Sequence, residues 1–223
     1  MAEAPDARRD ELRRVAVLAA PAVAQSLLQT MVFLVDRVML GRHSEAALAS
    51  MQAAGPLLWT LQSVFGAFAT GSVAVIGRCV GAGDRDGAVS ALRGSLAVAL
   101  AVGVFVGSVG TLCLDGMLHV MADGASPEVL AAARAYLAVL LPALPMLFLG
   151  TVATVALQAT GDTRTPFAIA ALTNVVNVAG NQALIFGHFG APRLGAKGAA
   201  ISNAFALTLE AALGLWALSR ASS

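Results

Sequence analysis

The chain has 223 residues, of which 58% are hydrophobic and only 12% charged, with a mean hydropathy of +0.78. A soluble domain would carry about a quarter charged residues. The net charge of +1 leaves no electrostatic footprint for nucleic acid, so a nucleic-acid partner is not expected.

The uncharged runs are long: Val15–Val35, Ala46–Gly77, Gly94–Leu114, Ala135–Gly161 and Thr165–Pro192. A sixth, Gly198–Ser219, is broken once by Glu210. Each reaches the ~20 residues that carry a helix across a hydrocarbon core. The expected fold is therefore an all-α integral membrane protein with six transmembrane helices. The approximate spans are 15–40, 52–77, 91–114, 132–158, 166–187 and 198–219, with residues 1–14 as an N-terminal segment and 220–223 as a tail. The first run is too long for a secretory apolar region and lacks a small-residue cleavage site, so it reads as a retained helix.

Basic residues set the orientation. With the N-terminus inside, the cytoplasmic segments hold Arg8, Arg9, Arg13, Arg14, Arg78, Arg85, Arg93, Arg164 and Arg220, against Arg42, Arg134, Arg193 and Lys197 outside. Nine against four places both termini in the cytoplasm.

The first span carries Gln25, Gln29 and Asp36 within roughly 40° of one another. Pro21, on the same side, would weaken that helix. Two placements fit Asp36. A straight helix from Val15 puts it ~30 Å along, at the outer interface. Against that, Val38, Met39 and Leu40 continue the apolar helix beyond the acid, which suits a buried carboxyl. The second span lines up Gln52, Trp59, Ser63, Gly66 and Thr70. The fifth gathers Asn174, Asn177 and Asn181 in an arc of roughly 60°, and on the sixth Asn203 and Glu210 share a face. Turned inward, these stripes would enclose a wet or ligand-accepting cavity. The amides serve equally as glue between helices, and Glu210 as a residue reaching for the cytoplasmic interface.

The connections hold turn chemistry. Gly161 suits a left-handed cap and Pro166 the start of the next helix, while Ser126, Pro127 and Glu128 form a helix-start signal. Histidines 43, 119 and 188 form no metal-ligand pattern, and Cys79 and Cys113 stand at opposite ends of the third span. No nucleophile–base set recurs within helix reach, so an enzyme is not expected.

Together the segments resemble the MATE family, the multidrug and toxic compound extrusion transporters. "PAVAQSLLQTMVFLVDRVMLGRHSEAALAS" is similar to its first helix and the start of its second, and "GRCVGAGDRDGAV" to its Gly-Ala-Gly-Asp turn. "LQATGDTRTPFAIAALTNVVNVAGNQALIFG" followed by "LGAKGAAISN" is similar to its helices four to six.

The resemblance implies a secondary antiporter in the cell membrane, exporting cationic, often aromatic compounds in exchange for protons or sodium ions, with no cofactor. It implies two six-helix lobes around a central cavity, of which this chain covers one. A second lobe would then come from a homodimer or a separate chain, unless the chain is a fragment or a non-transporting scaffold. A lipid-linked sugar flippase is a further alternative. By the same resemblance Asp36 is the ion-coupling acid, the sodium ligand if sodium is the ion, and Pro21 the helix bend. Asn177, Asn181, Asn203 and Gln29 are the polar residues around the acid; Gln25, Tyr136, Asn174 and Glu210 are cavity-lining candidates. Arg37 departs from the family pattern, and its guanidinium could hold Asp36 ionised.

Overall fold

The computed structural model describes residues 5–121 and 124–221, without the side chains of 5–19, 21, 22, 53, 121 and 221. All regular structure among them is helical. The elements are α1 (Pro5–His43), α2 (Glu45–Gly81), α3 (Arg85–Leu112), α4 (Leu114–Met121), α5 (Pro127–Ala159), α6 (Arg164–Phe186), a 3-10 turn at His188–Gly190, and α7 (Ala196–Ala221). Six of the seven α-helices, all but the short α4, are long and apolar enough to cross a membrane. Pro21, expected as the bend of the first span, lies outside the described side chains.

The connections are capped as the local sequence dictates. Ser44 alone separates α1 from α2; its Oγ accepts from the Ala47 amide at 3.0 Å, and Glu45 opens the new helix with a charge suited to its dipole. The tight link makes α1 and α2 an antiparallel hairpin. Ser126 caps α5, with Pro127 and Glu128 in its first turn. Gly161 adopts a left-handed φ of 87° after α5. In front of α6, Asp162 Oδ1 accepts from the Arg164 and Thr165 amides at 3.1 and 3.0 Å. Those bonds, with the Thr165 hydroxyl foremost, hold the Asp162 carboxyl below its usual range.

α5 is the central post, packed against α2, α3 and α7. α3 approaches it on a stripe of small residues, Ala99, Gly103, Gly107 and Gly110, all buried. A Cβ at Gly103 would stand 2.6 Å from Pro145 Cα, and one at Gly107 2.6 Å from the Leu141 carbonyl oxygen. Small residues three or four positions apart let backbones meet where lipid offers no hydrophobic drive. Below that contact Phe65 of α2 stacks on Phe148 of α5, ring centroids 3.8 Å apart.

α4 is an addition to the expected pattern, folded from residues taken for the end of the third span and the loop after it. It is tied to α5 by Arg134, whose Nε meets Asp115 Oδ1 at 2.6 Å. That guanidinium holds the exposed Asp115 carboxyl below its ordinary range.

Candidate functional site

α1, α5, α6 and α7 bring five polar residues together inside the helix body. Asp36 is buried, 5% exposed, so its carboxyl is closed off within the helix body. Asn181 donates from Nδ2 to Asp36 Oδ1 at 2.6 Å. Asn181 Nδ2 also donates to Asn177 Oδ1 at 3.2 Å, a residue one turn back on α6. Asn177 in turn donates to Asn203 Oδ1 on α7 at 2.9 Å, and Asn203 Nδ2 points to the Tyr136 hydroxyl of α5 at 3.4 Å. Asn203 is also the second amide neighbour of the Asp36 carboxyl.

The sequence places these groups together for simple reasons. Asn177 and Asn181 are four apart on α6, hence stacked on one face. Ser202 keeps α7 close, its hydroxyl donating to the Asn177 backbone carbonyl at 2.8 Å, and Gly180 faces Ser202 where a Cβ would collide with that hydroxyl. Ser202 was not singled out from sequence; its place beside Asn203 is the signal that could have found it.

The chain of amides has a direction. Asn181 gives both its hydrogens away, to Asp36 and to Asn177, and its own Oδ1 is buried without a partner. Asn181 Oδ1 and the Asp36 carboxylate therefore belong to one buried cluster of oxygens. Such an oxygen set suits a proton shared with Asp36 or a hard monovalent cation. Among the described residues no three of His, Cys, Asp and Glu gather as a metal site.

The other expected residues lie elsewhere. Gln25 is buried but faces α5, where its Oε1 accepts from Gln158 Nε2 at 3.1 Å. Gln29, expected beside the acid, is exposed and makes no hydrogen bond with any described residue. Asn174 is half-buried, with an unpartnered buried Nδ2. Glu210 is half-buried against Gly150 of α5. Gln52, Trp59, Ser63 and Thr70, expected to turn inward, are exposed on the outer side of α2. Arg37 makes no ion pair with Asp36; its guanidinium lies over the Phe33 ring, 4.3 Å from the centroid.

Six apolar helices, four of them meeting at a buried carboxyl–amide cluster, define a multi-pass membrane protein. The MatE family profile matches residues 21–182, and the chain belongs to that family. It is 30% identical over 201 residues to the "Probable multidrug resistance protein NorM" of Thermotoga maritima, covering 90% of this chain and 42% of that protein. It is 28% identical over 214 residues to the multidrug resistance protein MdtK of Klebsiella pneumoniae, covering 96% and 46%. Its fold matches that of a MOP superfamily transporter from Pyrococcus furiosus, with a TM-score of 0.82 at 22% identity over 90% of this chain and 43% of that one. A multidrug resistance MATE family transporter in an outward-facing conformation matches equally, at 0.82. The chain spans less than half the length of these relatives.

Proposed function

We propose that the chain forms one lobe of an ion-coupled exporter of organic compounds, with Asp36 as the coupling acid. A second six-helix lobe, from another copy or a separate chain, completes the cavity, and both termini lie in the cytoplasm. The coupling ion is a proton or sodium, and cations are the substrate class that the family implies. The observation that carries the reading is the short bond from Asn181 to a carboxyl 5% exposed inside the helix body.

Burying a carboxylate is costly unless donors replace its water. Here Asn181 does so while the acid is ionised. A proton or sodium ion entering beside Asp36 takes over that role and also meets the unpartnered Asn181 Oδ1. Asn181 is then free to turn, and the change passes through Asn177 and Asn203 to Tyr136, from α6 to α7 and α5. Ion and substrate exchange when each stabilises a different arrangement of these helices. Dye export from everted membrane vesicles, driven by an imposed proton or sodium gradient, tests this. Asp36→Asn removes the charge that exchanges, so export ceases while insertion persists; export at the wild-type rate contradicts the assignment.

A further inference from the structure

α1 and α6 run in the same direction, since Asp36 meets Asn181 and, further on, His43 meets Phe186. Between them, at the end where α1 stops, lies a groove of about 420 Å³. Val35, Met39 and Arg42 line it from α1, and Val178, Gln182 and Phe186 from α6. By helical phase each set keeps to one side of its helix, so the groove runs along the two axes. From Val35 to Arg42 it follows ~10 Å of helix. Its polarity is graded over that length. Val35, Met39 and Val178 make the deep part apolar; Gln182 comes next, and Arg42 and His188 stand at the mouth. Asp36 is not on this face, because its carboxyl turns inward to Asn181.

The groove opens toward a surface that suits lipid. Leu34 and Val38 flank it on α1 and Val175 on α6, all exposed and all apolar. Gln29 and Arg37 fall farther round α1, away from it. Acyl chains are as apolar as these side chains and cover them without cost. A small water-borne ion would gain nothing from the deep half. The mouth is basic instead. No acid lines the groove, and Arg42, exposed, makes no ion pair with any described residue. His188 stacks on Phe186, ring centroids 5.8 Å apart, which keeps its imidazole at the mouth. Arg193 adds positive charge at the same end, its Cβ 3.2 Å from the position of a Cβ on Gly187. Any arginine at the end of a span can reach headgroups. What Arg42 has in addition is an apolar trough beneath it.

We propose that this groove is a binding site for one anionic phospholipid of the outer leaflet, where the topology proposed above puts the end of α1. The phosphate pairs with Arg42, Gln182 and His188 donate to the remaining headgroup oxygens, and one acyl chain fills the trough along Val35, Met39 and Val178. Guanidinium holds phosphate through paired N–H groups. Basic pockets between membrane helices favour anionic headgroups, whereas a zwitterionic lipid brings its own cation to compete. The bound lipid bridges α1 and α6 from outside, the two helices that the Asn181–Asp36 bond joins from within. The site needs the chain's place in the membrane and nothing of the coupling role.

Two lipids with the same chains test it: dioleoyl phosphatidylglycerol and dioleoyl phosphatidylcholine. Each is titrated into the full chain in dodecyl maltoside, and the first bound lipid is followed by native mass spectrometry. Phosphatidylglycerol is expected to bind more tightly, by about tenfold, as a charge-assisted bond provides. Arg42→Gln removes that preference and Arg42→Lys keeps part of it. Val178→Trp leaves every cation in place but fills the trough, so it too should weaken phosphatidylglycerol binding. Equal binding of the two lipids by the wild-type chain overturns the proposal, and that comparison needs no variant to fold. Phosphatidylglycerol binding unchanged in Val178→Trp also overturns it, leaving a headgroup on a surface arginine with no site for a chain. Displacement by an equal concentration of sn-glycerol 3-phosphate would mean a site for free phosphate, not for lipid. A preference held by the monomer and lost in a dimer would assign the groove to the second lobe, against the proposal. No ion gradient enters these measurements, so their failure leaves the coupling role of Asp36 standing, and loss of that role leaves the lipid site standing.

Discussion

The Asn181 amide stands 2.6 Å from the Asp36 carboxyl, joining α6 to α1 across 145 positions of sequence. It is the direct tether between the acid and the amide chain that runs on to Tyr136. Removing it takes one of two amide neighbours from a buried carboxyl and leaves Asn177 Oδ1 without its donor. Asn181→Ala is expected to lower stability by about 1–3 kcal/mol, the cost of unsatisfied buried polar groups. Thermal unfolding in detergent measures it. The double variant with Asp36→Ala should lose less than the sum of the singles, because both delete one bond. Strict additivity would mean the bond contributes nothing.

The α3–α5 contact makes a prediction of packing. A side chain at Gly107 meets the Leu141 carbonyl, a backbone atom that cannot step aside. Gly107→Leu should force the helices apart and cost on the order of 1–3 kcal/mol, as overpacking does. Gly66 of α2 has open space where its Cβ would be, so Gly66→Ala should leave the melting temperature nearly unchanged. Equal effects at the two glycines would contradict the close approach.

Asp162 makes a prediction of pH. Its carboxyl accepts amide and hydroxyl bonds at the start of α6, and its folded value lies below the ordinary one. A depressed carboxylate stabilises fully above its unfolded range and loses that contribution as pH falls through the folded value. Asp162→Ala should cost about 1 kcal/mol at neutral pH, as lost caps do. The difference from wild type should shrink on acidification, read from melting curves at neutral and acid pH. A gap that widens in acid would contradict the sign.

Much of this was legible in the sequence, and the misses have physical causes. Apolar runs fixed the six membrane helices, because the bilayer sets both their length and their polarity. Asn177, Asn181 and Asn203 were legible as site candidates because polar side chains in such runs are costly unless covered. Periodicity tells which face a residue is on, but not what covers that face. Gln25, Gln29 and Asp36 share a stripe, yet Gln25 meets Gln158 on α5 and Asp36 meets Asn181 on α6. Gln29, between them, meets neither helix and is exposed. The same gap hid the α2 stripe, whose Gln52, Trp59, Ser63 and Thr70 are exposed. α4 escaped notice because eight residues are too few to show a period.

The account depends on a carboxyl shut away from water beside an exposed neighbour on its own helix stripe. With Cys79 and Cys113 replaced by serine, single cysteines in place of Asp36 and of Gln29 can be offered a membrane-impermeant maleimide in open nanodiscs. The expected result is rapid labelling at position 29 and negligible labelling at position 36 until the protein is denatured. Labelling of position 36 as fast as position 29 in the folded protein would contradict the buried acid and the coupling role built on it.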